Sequence, residues 1–498
     1  MNFRPYILHF ALATLLCSSC SMEKSPPPKV QAYETAADGA KLARVKPLEE
    51  KTTSSLEITI DTSQKFQTIT GFGGAFTEAS AHLLNQVKPA VRERILSAYF
   101  SDSGAAYSLT RTHMNSCDFS LHHYSYAPEA DDTALTKFSV KEDTADIIPM
   151  IKDAQRLSAN GFKIIASPWT APPWMKTNND WYGGKLKPEY YNTWAKFFVK
   201  YVDAYQKEGI PIWGFTVENE PLGNDASWES MHYTPEEMAS FVKNHLGPTL
   251  KSAYPEIKIL VYDQNRGEEL DEWASVLLQD TALLPYIYGT AVHWYTGTVD
   301  WFPESLQYTH QLAPQKAIIH TEGCVDAQVP QWQNDAWYWQ KKATDWGYQW
   351  AKPENKKDHP KYRPTYRYAR DIIGTLNNHV EGWIDWNMVL NTQGGPNLAE
   401  NWCVAPVIVK EESSEVYFTP LYYVMSHFSK FIRPGARRVK HRSTDEQLMV
   451  TAALHPNGSL TAVIFNPAQE AKTFTLKTPY GHTHLNIKAQ AIQTVILN

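Results

Sequence analysis

Eight short apolar runs, rich in Ile, Val, Phe, Tyr and Trp, punctuate the chain between positions 71 and 388. They are "GFGGAF" (71–76), "AYSLTRTHM" (106–114), "FKIIASPW" (162–169), "IWGFTVEN" (212–219), "IKILVYDQN" (257–265), "YGTAVHWY" (288–295), "KAIIHTEG" (316–323) and "VEGWIDWNM" (380–388). Between most of them lie amphipathic segments: Pro89–Tyr99, Ile147–Ala159, Pro188–Lys207 and Pro235–Ala253. Near-continuous apolar strands alternating with helices predict a parallel sheet covered on both faces. Eight repeats of that unit predict an α/β fold, a (β/α)8 TIM barrel. A chain of 498 residues has room for such a barrel plus a smaller module.

The two ends have a different period. Residues 54–69, "SSLEITIDTSQKFQTI", alternate polar and apolar, as do "QLMVTAALHP", "SLTAVIFNP", "KTFTLKTP" and "AIQTVILN" beyond Val439. Turn signals such as "PNGS" separate them, so antiparallel strands are expected. We therefore expect a β-sandwich built from both chain ends, with strands in 52–70 and 416–498 around a barrel over 71–415. Residues 1–20 have the layout of an export signal: Arg4, an apolar run from Tyr6 to Leu16, then small residues. "CSSC" before Ser21 resembles a bacterial lipoprotein signal with Cys20 as the lipidated residue, and plain secretion is the alternative. Residues 21–51 are Pro-rich and polar and read as a tether. Export to a periplasm or cell surface follows, with the membrane reached only through the lipid anchor.

In such a barrel, chemistry sits at the C-terminal ends of the strands. The apolar runs here end on Trp169 and Thr170, Asn219 and Glu220, Asp263 to Asn265, His293 and Tyr295, Glu322, and Asp385 to Asn387, with Asp118 just past the second. Glu220 and Glu322 end the fourth and seventh runs, and two carboxyls across one mouth are what glycoside hydrolysis needs. One protonates the leaving oxygen. The other attacks the anomeric carbon or activates water. Glu218 stands two residues before Glu220, one layer deeper if the strand continues. Pro221 stops the strand and leaves Glu220 nearer the mouth. Glu218 then reads as a buried group that supports by hydrogen bonding.

Other chemistries lack their signals. "GFGGAF" is not a dinucleotide or phosphate fingerprint; it reads as a place where backbone packs closely. His113, His122, His123, His293 and His320 do not fall into a metal-ligand spacing, so neither metal nor cofactor is expected. Cys117, Cys324 and Cys403 form no CxxC pair and suggest no disulfide framework. A net charge of -6 is too mild to point to nucleic acid. The 17 Trp and 27 Tyr suit rings stacking on sugar faces as well as a large aromatic core.

Read together, "GFGGAFTEASA", "TRTHMNSCDFS", "ASPWTAPPWMKTN", "GFTVENEP", "HWY", "TEGC", "GWIDWNMVLNTQGGPN" and "HFSKFIRPGA" resemble glycoside hydrolase family 30, over roughly residues 66–465. The resemblance implies a barrel with an attached sandwich and hydrolysis that retains anomeric configuration. It implies that Glu220 in "NEP" is the acid/base and Glu322 in "TEG" the nucleophile. It implies sugar contacts from Asp118, Trp169, Asn219, Trp386 and Asn401, with His293 and Tyr295 flanking the nucleophile. Retaining enzymes hold their carboxyls roughly 5–5.5 Å apart, so one charge favours a proton on its neighbour.

The stretch between Cys324 and Trp383 is longer than in the lysosomal glucosylceramidase type, and it carries Trp332, Trp337, Trp339, Trp346 and Trp350. It is either extra packing or a wall with outer sugar subsites. "TEGC" in place of the "SEAC" of that type leans towards the bacterial and glucanase-like side of the family. The expected substrate is a β-linked glucan or glucoside, with β-1,6-linked glucan in first place. Glucosylceramide and β-xylosides are alternatives. A non-catalytic surface glycan-binding lipoprotein is the alternative of another class.

Overall fold

The computed structural model describes Met1 and residues 29–49, 54–225, 227–343, 353–354 and 356–498. The expected signal, Cys20, Trp346 and Trp350 lie outside the described residues.

Eight parallel strands close into a barrel. In chain order they are Gly71–Phe76, Leu109–Met114, Lys163–Pro168, Gly214–Thr216, Lys258–Asn265, Gly289–His293, Ala317–Glu322 and Val380–Asp385. The eighth pairs with the first, Gly382 opposite Gly71, to complete the ring. Leu109, Ile165, Leu260, Ala291, Ala317, Ile319 and Ile384 form one buried cluster. Inward residues from several strands fill such a barrel and make it a packed core, with the mouth left for chemistry. The glycines of "GFGGAF" fit close packing. A Cβ on Gly73 would lie 1.9 Å from the Leu109 carbonyl oxygen, so the first strand approaches the second too closely for any side chain.

The covering helices include Pro89–Phe100, Ile147–Leu157, Tyr191–Lys207, Glu268–Leu277, Pro303–Leu312, Pro364–Asn377 and Pro420–Ser429. Several open on proline, which has no N–H to leave unpaired in a first turn. The segment after the fourth strand opens at Pro235 with a reciprocal cap. Thr234 Oγ1 accepts from Glu237 N, and Glu237 Oε2 accepts from Thr234 N.

The second module is a nine-stranded sheet that joins both chain ends. Glu57–Thr68 lies beside Arg437–Ser443, and Val30–Ala36 pairs along its length with Ala491–Leu497. One set of side chains, among them Ile58, Ile464, Phe474, Leu485 and Val495, packs into the module's own core. Alternate residues Val463, Phe465 and Ile492 pack instead against the barrel helices Pro364–Asn377 and Pro420–Ser429.

Two expected boundaries are corrected. The tether over 21–51 does not hold, because Val30–Ala36 and Ala43–Val45 are strands of the sheet. Their weakly apolar sequence hides this. The ladder to Ala491–Leu497 and the buried Ala32 and Ala36 hold them, not local propensity. The sandwich also begins later than 416. Pro420–Ser429 packs on the first barrel strand through pairs such as Phe428 with Phe72, and the first C-terminal strand of the sheet starts at Arg437.

Candidate active site

Glu220 and Glu322 come together at the mouth of the barrel. One pocket is lined by Asp118, Trp169, Asn219, Glu220, Trp228, Tyr295, Glu322, Cys324, Asp326, Trp386, Asn401 and Cys403. Every residue that the family resemblance assigns to the site is in that wall except His293, which lies behind it; Thr170, Asp263 to Asn265, Asp385 and Asn387, also marked at run ends, do not line it. His293 Nδ1 is 3.3 Å from Glu220 Oε1.

The local backbone explains why Glu220 faces the pocket and Glu218 does not. The fourth strand ends at Thr216, and the chain runs on with Asn219 N donating to Pro168 O and Glu220 N to Asp263 O. Glu220 then adopts φ of +47°, a left-handed conformation costly for a side-chain-bearing residue and frequent at functional sites. That turn breaks the strand alternation, so the two glutamates do not share a face. Glu218 is fully buried, lines no part of the pocket, and neither carboxyl oxygen has a hydrogen-bond partner among the described residues. Burial pushes its carboxyl well above the usual range, and Lys176 opposes this from a distance. The expectation that Glu218 supports by hydrogen bonding is therefore corrected. The nearby ammonium of Lys176 is taken up by the carbonyls of Trp181 and Ser230.

Behind the pair stands a fully buried charge network that motif reading did not single out. Arg111, from the second strand, donates to Glu322 Oε2, to Asp263 Oδ2 at 2.7 Å, to Asn219 Oδ1 at 2.8 Å and to Ser167 Oγ at 2.9 Å. Asp263 also receives His293 Nε2 at 3.0 Å and Thr321 Oγ1 at 2.6 Å. Burial would raise the Asp263 carboxyl, but Arg111 and His293 overcome it and hold it well below its ordinary value. Burial works equally against a charged His293, yet Glu322 and Asp263 hold its imidazole up to about 9. Two cations thus balance Asp263 and Glu322. The sequence marked Asn219, Asp263, His293 and Glu322 one by one at run ends, but not the arginine inside an apolar strand that joins them.

Glu322 is pushed up by burial first, and His293 and Arg111 pull it back. Tyr295 donates its hydroxyl to Glu322 Oε1 at 3.1 Å; burial raises this phenol far above its usual range, so it remains a donor. Asp118, also buried, is raised well above the carboxylate range by desolvation and by the neighbouring Glu322. Its Oδ1 has no hydrogen-bond partner among the described residues. Trp169 and Trp386 stack with centroids 5.2 Å apart and form an apolar wall. The Arg111 guanidinium lies 4.8 Å from the Trp169 ring centroid. Asn401 is held through its backbone by Asn397, at 2.9 Å in each direction. The thiols of Cys324 and Cys403 are 3.4 Å apart and free.

Glu220, His293 and Glu322 each offer one ligand atom, all within 4.8 Å of one another, a spacing a metal ion could bridge. A cation there would meet Arg111 and a His293 that holds its own proton up to about 9, so the charges suit a neutral ligand better. The described tryptophans of the long stretch after Cys324 are packing groups. Trp337 and Trp339 are buried, Trp332 sits under the Lys410 ammonium at 4.4 Å, and none lines the pocket.

A barrel with two carboxyls, stacked indoles and orphaned polar oxygens at its mouth defines a glycoside hydrolase. The comparisons with known proteins give the particular family. Residues 69–432 match the glycosyl hydrolase family 30 TIM-barrel domain, and residues 435–495 match that family's beta sandwich domain. The chain belongs to glycosyl hydrolase family 30. It is 36% identical to the lysosomal acid glucosylceramidase of Mus musculus over 441 residues, 86% of this chain and 81% of that protein. Among solved structures it is similar to SrfJ from Salmonella typhimurium, with TM-score 0.83, 30% identity, and 94% and 99% of the two chains covered. It is also similar to the endo-β1,6-glucanase BT3312, with TM-score 0.81, 27% identity, and 94% and 98% covered.

Proposed function

We propose that the chain hydrolyses β-glucosidic bonds with retention, by double displacement, and that β-1,6-linked glucan or gluco-oligosaccharide is its substrate. The observation that carries the reading is the approach of Glu220 and Glu322, with one oxygen of each within 4.8 Å. Inverting enzymes leave a wider gap, roughly 6.5–9.5 Å, for a water between the carboxyls. In the first step the Glu322 carboxylate attacks the anomeric carbon while Glu220 passes a proton to the leaving oxygen. A glycosyl ester on Glu322 results. In the second step Glu220 takes a proton from water, the water attacks the same carbon, and Glu322 leaves as carboxylate. Arg111 and Tyr295 stabilise the anionic form of Glu322. Asp118, Asn219 and Asn401 face sugar hydroxyls, and Trp169 with Trp386 face the apolar side of the ring.

The likeness to the endo-β1,6-glucanase supports the linkage. The higher identity to the mouse enzyme favours a second reading, cleavage of glucosylceramide. Products released from β-1,6-glucan, laminarin, xylan oligosaccharides and glucosylceramide separate the two. For the mechanism, Glu322→Gln is expected to abolish turnover of an aryl β-glucoside. Azide is expected to rescue Glu322→Ala and to give a glycosyl azide of inverted configuration. A fully active Glu322→Gln protein, or a first-formed sugar of inverted configuration from the parent enzyme, defeats the assignment.

A further inference from the structure

One carboxyl in the pocket has no role in the account above. Asp326 follows Glu322 by four positions, on the two-residue strand Val325–Asp326. That strand pairs antiparallel with Cys403–Val404, Asp326 opposite Cys403. The small ladder joins the chain leaving the seventh barrel strand to the loop that carries Asn401. It fixes Asp326 in the pocket wall, where the residue is 4% exposed. A residue on a two-strand ladder is held more firmly than one on a free loop, as a recognition contact requires.

The hydrogen bonding of Asp326 is incomplete. Oδ1 is buried and has no partner among the described residues. Arg367, the cation that acts on it most, makes no ion pair with it. Arg367 Nη2 donates instead to the carbonyls of Trp294 and Gly297, at 3.0 and 3.2 Å, and its guanidinium lies 3.9 Å from the Trp294 ring centroid. A buried carboxyl oxygen without a donor is costly unless a ligand supplies one. Burial pushes the Asp326 carboxyl up to about 7, with Arg367 opposing and Glu322 and Glu220 adding to the rise. Near neutrality the group exists in both forms. A sugar hydroxyl satisfies either, because it donates and accepts.

We propose that Asp326 is a specificity-determining residue that hydrogen-bonds one hydroxyl of the sugar whose anomeric carbon meets Glu322. This rests on the glycosidase reading above. It adds a contact that the sequence motifs did not indicate, since "TEGCVD" draws attention to the glutamate alone.

The test compares kcat/KM on an aryl β-glucoside with that on its 2-, 3-, 4- and 6-deoxy analogues, for the parent enzyme, Asp326→Ala and Asp326→Asn. Removing the carboxyl is expected to cost about 10- to 100-fold on the full glucoside, the range for a hydrogen bond to a charged or buried group. On one deoxy analogue the cost should vanish, because the hydroxyl that Asp326 holds is already missing. Asp326→Asn, which keeps the shape and one acceptor, should show the same pattern at smaller amplitude; it carries the test if the alanine protein does not fold. An equal loss on all five substrates makes Asp326 a packing residue and overturns the proposal, as does no loss on any. No turnover by the parent enzyme of either the glucoside or β-1,6-glucan is a different result, since it removes the glycosidase reading itself.

Discussion

Replacing Arg111 by methionine keeps most of the side-chain volume and removes the charge. In the parent protein the guanidinium is fully buried and joins Glu322, Asp263, Asn219 and Ser167. For charges roughly 4 Å apart at an effective dielectric constant of about 20, the interaction is about 4 kcal/mol. Loss of that term makes ionisation of Glu322 harder by roughly a thousandfold, before the network relaxes. The sign follows from charge alone. Without a cation beside it, Glu322 gives up its proton at higher pH, so the acidic limb of kcat/KM on an aryl β-glucoside moves up. At a fixed pH near 6 we expect kcat/KM to fall by about 10²-fold or more, with partial recovery as pH rises. The buried Asp263 also loses a partner, and breaking such a pair costs about 3–5 kcal/mol of stability. Thermal melting followed beside the kinetics shows whether the variant is folded at the assay temperature. Arg111→Lys retains a charge without the four-way fork and should restore part of the limb. A loss of activity with an unmoved acidic limb in a folded Arg111→Met protein would falsify the electrostatic role and leave Arg111 as a packing group.

Two further outcomes follow from the same network and from the barrel wall. His293 is held up to about 9 in the folded protein, against about 6.5 unfolded, so its contribution is fully present below pH 6.5 and is lost as pH rises through 9. The loss is roughly 3 kcal/mol; denaturant midpoints should fall between pH 6.5 and 9, and His293→Gln should flatten that stretch, whereas an unchanged slope speaks against a charged His293. Gly73→Ala puts a methyl 1.9 Å from the Leu109 carbonyl oxygen, which the first barrel strand cannot absorb without moving. The variant should melt at least several degrees lower or fail to fold, at a cost of about 1–3 kcal/mol or more, and an unchanged melting temperature would show that the strands can separate there.

The barrel was legible because each of its strands is a local event. An apolar run such as "IKILVYDQN" announces a buried strand without knowledge of its neighbours, and the polar residues that close it mark the mouth. The same reasoning found the site wall, since Asp118, Trp169, Glu220 and Glu322 all sit at or just past strand ends. It failed where structure depends on a distant partner. "VQAYETA" is too weakly apolar to read as a strand, and only Ala491–Leu497, more than 450 positions away, makes it one. Glu218 is buried as expected, and only its expected hydrogen-bond support is missing among the described residues. The alternation that would align it with Glu220 stops at a single left-handed residue, and Glu220 has no sequence mark for that conformation.

Arg111 shows why the charge network escaped motif reading and why it exists. A lone arginine in a buried strand is among the more costly features a chain can carry, and a packed apolar residue would often be as stable or better. Such a group is tolerated when several anionic or polar partners converge on it. Here those partners come from strands three, four, five and seven, as Ser167, Asn219, Asp263 and Glu322. The sequence already marked Asn219, Asp263 and Glu322 at run ends, and Asp263 sits at the bulge of its strand with φ of +60°. The network therefore ties Asn219, Glu322 and, through Asp263 and His293, Glu220, the proposed sugar contact, nucleophile and acid/base, to one buried guanidinium. A change at any of these four partners is expected to reach both proposed catalytic carboxyls. For this reason substitutions at Asp263 or Ser167, neither of which lines the pocket, should alter the pH profile more than the affinity for substrate.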